Sequence, residues 1–265
     1  MIHVGTSGFN YSDWYGVFYP PGLDRGEMLS FYARHFDLVE LDFTYYQMPV
    51  ARTLAAMADK TPDGFLFSLK TYRELTHRRD LTGAELSSLA ERFRAALAPL
   101  VESGKLACIL AQFPWSFKAT SENTEFLAAL REVFAELPLV VEFRNAEWVR
   151  EEIFAFLRDF ELGFCCVDEP RLPGLFPPIA RATSAIGYVR FHGRNAAKWW
   201  RHAEAWERYD YLYSETELGE WVPRIRALAR ETESTLVLMN NCHAGHAARN
   251  ALQLRRMLGG PSSAD

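Results

Sequence analysis

The stretch YVRFHGR, residues 188–194, alternates two chemistries. Tyr188, Arg190 and His192 take one set of positions; Val189, Phe191 and Gly193 take the other. Successive side chains of a β-strand point to opposite faces. One face of this strand is therefore apolar, and the other carries a guanidinium and an imidazole. Such a strand needs an apolar layer on one side and an enclosed polar space on the other.

The rest of the chain supplies that setting. Short apolar runs recur at IHVG (2–5), LVELD (38–42), FLFSLK (65–70), LACILAQ (106–112), LVVEFR (139–144), FCCVD (164–168), YVRFH (188–192) and LVLMN (236–240). Amphipathic, helix-period segments separate most of them, at 84–103, 122–136, 149–161 and 215–231. Two of these open with capping-box pairs, Thr82 with Glu85 and Ser214 with Glu217. Strands alternating with helices imply a parallel sheet, and eight such units predict one closed (β/α)₈ barrel over residues 1–265. The sixth unit is irregular, because residues 169–185 are too proline-rich for a good helix. A doubly wound open sheet is the rival, but no G-x-G-x-x-G follows the first run. The end of the chain, 259–265, reads as a disordered tail.

Composition narrows the function classes. The 265 residues are 49% hydrophobic, with a formal net charge of -5, so no global basic field draws the chain to nucleic acid or anionic lipid. The four cysteines, Cys108, Cys165, Cys166 and Cys242, form no C-x-x-C pair and read as small hydrophobes in a reducing compartment. The start MIHVGTSG has no signal-peptide pattern, and no apolar run spans a bilayer. A cytoplasmic protein with no membrane partner is expected.

Alternation applied to each strand's C-terminal end predicts a polar site. Glu40 and Asp42 share a face, as do Ser68 and Lys70, and Glu142 and Arg144. Gln112 follows Leu110, Asp168 follows Cys166, and Asn240 follows Leu238. With Arg190 and His192, seven strands place polar groups where barrel enzymes build their sites. These charges can form a buried ion-pair network without chemistry. So many at one end point instead to a ligand, since buried pairs add little stability over apolar replacements.

The same residues carry a resemblance. GTSGFNYSDWYGVFYP (5–20), YARHFDLVELDFTYYQMP (32–49), FLFSLKTYRELTH (65–77), LAQFPWSF (110–117), VEFRNAEW (141–148), YVRFHGR (188–194) and MNNCHAGHAARNA (239–251) resemble, in order, the YecE-like family, domain of unknown function seventy-two. The resemblance implies a (β/α)₈ barrel and carries no reaction. Its pattern has histidine where this chain has Asn145, so proton transfer is not expected at that position.

Several chemistries suit the residues. A hydrolase or lyase acting on a phosphorylated or otherwise anionic substrate, such as a nucleotide, sugar phosphate or nucleic acid, would use His192 as general acid or base, oriented by Asp168 or Glu142. Lys70 and Glu40 complete the catalytic candidates. Lys70 is also the one inner-face candidate for Schiff-base chemistry, with pairing to Asp42 or anion binding as its rival roles. Phosphate is expected near Arg190, Gly193 and Arg194, against a last helix capped by Asn240 or Asn241. Arg144, Asp42, Gln112 and the third-loop His77 are further substrate-binding candidates. Trp14 and Tyr46 belong to a set of rim aromatics, with Tyr15, Tyr45, Trp115, Trp148, Trp199 and Trp200, that can stack on sugars or bases. One alternative is a metal-dependent, nuclease-like phosphodiesterase with a divalent ion among Glu40, Glu142, Asp168 and His192, although no zinc-type spacing is present. The other is a non-catalytic nucleotide or nucleic-acid binder. Carboxylates at the ends of the fourth and seventh strands would suggest a glycosidase, but Gln112 and His192 stand there.

Overall fold

Apolar runs with no helix period become the staves of a barrel. The computed structural model describes residues 1–259. Eight parallel strands, β1 (Ile2–Ser7), β2 (Leu38–Leu41), β3 (Leu66–Lys70), β4 (Leu106–Gln112), β5 (Leu139–Glu142), β6 (Gly163–Asp168), β7 (Ile186–Phe191) and β8 (Ser234–Met239), close in sequence order, with β8 pairing back to β1. All eight expected runs are strands.

Helices cover the outside. Gly83–Glu102 shows why: Leu86, Ala90, Phe93, Leu97 and Leu100 recur at three- and four-residue spacing and are all buried against the wall. Its first turn is closed by the Thr82–Glu85 capping box, in which Thr82 N–H donates to Glu85 at 2.9 Å. The Ser214–Glu217 box forms as well, starting Glu215–Gly219 ahead of Val222–Glu231. The segment 169–185 holds no helix, as its prolines require. The expected disordered tail falls outside the described residues except for Gly259, which closes a turn behind the last helix, His246–Met257.

Two local expectations are corrected. The last helix is not capped by Asn240 or Asn241. It begins after Gly245, which sits at φ 73° and offers no side-chain cap, so the Asn241 amide is free to donate to Tyr211 and Asn250. Strand β6 faces the opposite way from the reading above. Cys165, not Cys166, points inward, its thiol donating to Glu142 at 3.7 Å. Asp168 therefore faces the helix layer, and its neighbour Glu169 turns inward.

No helix among the described residues is long and apolar enough to cross a membrane.

Candidate active site

The polar side chains meet at or just beyond the C-terminal ends of the strands, in two tiers. The lower tier is a sealed ion-pair network. Arg190, 1% exposed, donates to Glu142 at 2.7 Å, to Glu40, and to Ser7 at 3.4 Å. Tyr188 donates to Glu40 at 2.6 Å, and Ser68 lies 2.8 Å behind it. Arg144 contacts Glu142 at 2.8 Å, Glu169 at 3.3 Å and Gln112 at 3.5 Å. Burial pushes the Glu142 carboxyl up, but Arg144, Arg190 and His192 outweigh it and hold it well below the usual carboxylate range. Burial raises Glu169 to about 7 against the pull of Arg144.

His192 belongs to this sealed tier. It has no exposed surface; Glu142 lies 3.1 Å from Nε2, and Asn240 donates to Nδ1 at 2.9 Å. The network assigns the proton to Nε2. Burial first, then Arg144, lowers its pKa to about 3. With both nitrogens occupied, His192 has no free site for exchanging a proton with a ligand. This corrects its expected role as general acid or base.

The upper tier is open. A cleft of about 610 Å³ is floored by Asp42, Lys70, Arg190, Gln112 and Asn240 and walled by Tyr11, Asp13, Tyr46, Trp206, Tyr209, Cys242 and His243. The Asp42 side chain is 28% exposed, and its Oδ1 has no hydrogen-bond partner. Burial, reinforced by Glu40, raises its carboxyl to about 7. Burial also lowers the Lys70 ammonium, opposed chiefly by Asp42. The Lys70 nitrogen lies 4.4 Å from the centre of the Tyr45 ring. A second cavity of about 570 Å³, lined by Phe9, Leu41, Phe43 and Met57, shares Tyr11, Asp42 and Tyr46 with the first.

Other candidates lie elsewhere. Asp168 accepts from Arg194 at 2.8 and 2.7 Å, from Tyr213 at 2.7 Å and from Trp221 at 2.6 Å, all outside the barrel wall. Asp168 and Arg194 are thus spent on each other. Gly193 stands at φ 88°, but its N–H donates to Tyr213, and a Cβ there would meet Tyr211 at 2.8 Å. The close approach it permits is to the protein itself, so the expected anion cradle at Arg190, Gly193 and Arg194 is not formed. The four-residue metal set is not assembled either, because Asp168 is across the wall; among the described residues no three His, Cys, Asp or Glu side chains group to hold a metal ion.

The aromatics divide. Trp14, Trp148 and Trp199 are buried rim packing, Trp14 donating to Cys242 at 2.7 Å, whereas Tyr46 (71%) and Trp206 (48%) stand exposed at the cleft. His77 sits on the rim, 3.2 Å from the Tyr45 hydroxyl, outside the cleft lining. Sequence reasoning missed Tyr11, Asp13, Trp206 and Tyr209. The first two lie in the loop after β1, where an acid two residues from a tyrosine was the available signal. The latter two lie in the long segment between β7 and the helix at 215, whose path no periodicity reveals. His243 stacks on Trp206 with ring centres 4.3 Å apart.

This whole-chain barrel, with its polar residues at one end, has close relatives. The model of the family described as "Protein of unknown function DUF72" matches residues 3–264. The chain belongs to the DUF72 family. It is 32% identical to UPF0759 protein YunF of Bacillus subtilis, an alignment covering 97% of this chain and 95% of that protein. Among solved structures, a DUF72 family protein from Thermotoga maritima superposes with a TM-score of 0.90 at 44% identity, covering 98% and 99% of the two chains. A DUF72 family protein from Enterococcus faecalis gives 0.87 at 29% identity over the full length of both. The YecE-like resemblance and the barrel it implied both hold for this DUF72 chain.

Proposed function

We propose that the chain is a hydrolase or lyase acting on a small, oxygen-rich anionic substrate, with Asp42 moving the proton and Lys70 holding the anion. The observation that carries this reading is that Asp42 and Lys70 both line the open cleft above a neutralised floor. Arg190 and Arg144 are matched by Glu40, Glu142 and Glu169, so they hold the cleft's shape without supplying a free positive charge. A carboxyl raised to about 7 exchanges protons efficiently at neutral pH. Gln112, Asn240 and the tyrosine hydroxyls add donors around Lys70, and Tyr46 and Trp206 offer faces for a ring. The residues expected to do this chemistry, His192 and Asp168, are replaced in the proposal by Asp42, which was read as a binding residue.

The test is a melting assay with phosphate, nucleotides and sugar phosphates at constant ionic strength. A ligand at 100 times its dissociation constant stabilises a fold by about 2.7 kcal/mol. One of these anions is expected to raise the melting temperature, and Lys70→Met to abolish the shift. Stabilisation by neutral sugars alone would overturn the anionic reading.

A further inference from the structure

Lysine is scarce in this chain. Five of the 29 cationic residues are lysines, at 60, 70, 105, 118 and 198. Four have their ammonium groups engaged with oxygen. Lys60 donates to the Gly26 carbonyl at 2.8 Å, and Lys105 to the Ala58 and Thr61 carbonyls at 2.7 Å each. Lys118 lies 3.2 Å from Glu147, and Lys198 is paired with Glu207. Among the described residues, Lys70 alone of the five has neither a hydrogen bond nor an ion pair, although it faces the barrel interior. The permanent charges there are arginines, whose guanidinium does not deprotonate; the one cation able to become a neutral nucleophile is the one left open to the cleft.

We propose that Lys70 forms a Schiff base with a carbonyl-bearing substrate. The idea rests on the reading of the cleft as an enzyme site for an anionic substrate, narrows that substrate to an anion that also carries an aldehyde or ketone carbon, and takes Lys70 from holding the anion to bonding that carbon. Three features of the geometry support it. Lys70 ends β3 and projects over the floor, with the Tyr45 ring against its ammonium. Burial disfavours the charged form of the amine and Arg190 on the same floor adds to it, against the pull of Asp42, Glu142 and Glu40. Asp42 lines the same floor without forming an ion pair with the amine, and its Oδ1 accepts no hydrogen bond and lies 3.8 Å from the Arg190 guanidinium.

The step balances without a redox partner. The neutral Lys70 nitrogen adds to the carbonyl carbon, and the C=O π pair moves to oxygen. Asp42 protonates that oxygen and takes a proton from the attacking nitrogen, giving a carbinolamine. Asp42 then protonates the hydroxyl, water leaves, and the nitrogen lone pair forms the C=N bond. The products are a protonated imine, one water and the Asp42 carboxylate. The iminium then accepts the electron pair of an adjacent breaking bond, which is lyase chemistry.

The experiment is reductive trapping of the full chain with sodium borohydride, using pyruvate and dihydroxyacetone phosphate in turn as probes. Intact mass and peptide mapping locate the adduct. Label is expected on Lys70 above every other lysine, because burial lowers its pKa and so raises the neutral, nucleophilic fraction of the amine near neutral pH. Lys70→Arg, which keeps the charge, is expected to lose the adduct; the wild-type peptide map decides the question even if that variant folds poorly. No adduct with either probe, or label spread evenly over the five lysines, overturns the Schiff base. If phosphate still stabilises both wild type and Lys70→Arg in that case, the anionic cleft survives. If no anion stabilises the wild type, the broader reading fails by itself.

Discussion

Asp168 and Arg194 join outside the barrel wall through two bonds, from Nε to Oδ1 at 2.8 Å and from Nη2 to Oδ2 at 2.7 Å. Tyr213 and Trp221 complete the shell around a carboxylate that is 1% exposed. The pair ties the end of β6 to the segment after β7 and to the helix layer at Glu220. Arg194→Ala leaves a buried carboxylate with neutral donors, and the expected loss is about 3 kcal/mol in denaturant unfolding. Any phosphate-induced melting shift is expected to remain. Loss of that shift without loss of stability would return Arg194 to the site.

Arg190→Leu is expected to destabilise the fold by about 3–5 kcal/mol, because Glu40 is then left buried with only the neutral Tyr188 donor and Glu142 with Arg144 alone. Chemical denaturation at neutral pH measures it. The double variant Arg190→Leu with Glu40→Gln is expected to recover part of the loss. A single variant with a wild-type midpoint would show that the network carries no net charge requirement.

Asp42 makes stability depend on pH with a definite sign. Its folded carboxyl titrates at about 7, above the roughly 4 of an unfolded aspartate. Between these values the folded state binds more protons than the unfolded state, so the contribution from Asp42 is fully present below about pH 4 and is lost as pH rises through 7. Asp42→Asn removes that slope. Its melting temperature relative to wild type is therefore expected to climb from pH 4.5 to pH 8, and a flat difference across that range contradicts the raised carboxyl.

His192 is depressed to about 3, so its sign is opposite. The unfolded imidazole binds a proton below roughly 6.5 while the folded one does not, and stability is lost as pH falls from there toward 3. In NMR the His192 ring signals are expected to stay constant from pH 8 down to 5. A titration midpoint near 6.5 would mean the imidazole is solvated and open to the cleft.

Much of the architecture was legible because one physical rule, the two-residue alternation of a strand, was applied eight times. In β2, β3, β5 and β7 the polar residues sit two apart with apolar residues between them, so the inward set at Glu40 and Asp42, Lys70, Glu142 and Arg144, or Arg190 and His192 is unambiguous. The loops were less legible. Trp14 and Tyr46 are both aromatic residues after a strand, yet one is fully buried beneath the rim and the other is 71% exposed. Which ring packs and which meets solvent depends on neighbours far away in sequence, here Cys242 for Trp14.

The sequence by itself determined the barrel, its order and the end at which polar groups gather, since hydrophobic period and helix caps are local properties. It did not determine the facing of β6. FCCVDE places cysteine, cysteine and valine before two adjacent acids, so either phase of the alternation gives an apolar strand ending in a carboxylate. Only the tertiary structure chose between them. Trp221, Tyr213 and Arg194 converge on Asp168 from the helix side, while Arg144 and the Phe176 N–H meet Glu169 on the other. A buried carboxylate goes where donors can replace its water, and those donors come from 26 to 53 residues away on the Asp168 side and from 7 and 25 residues away on the Glu169 side, separations that no strand alternation encodes.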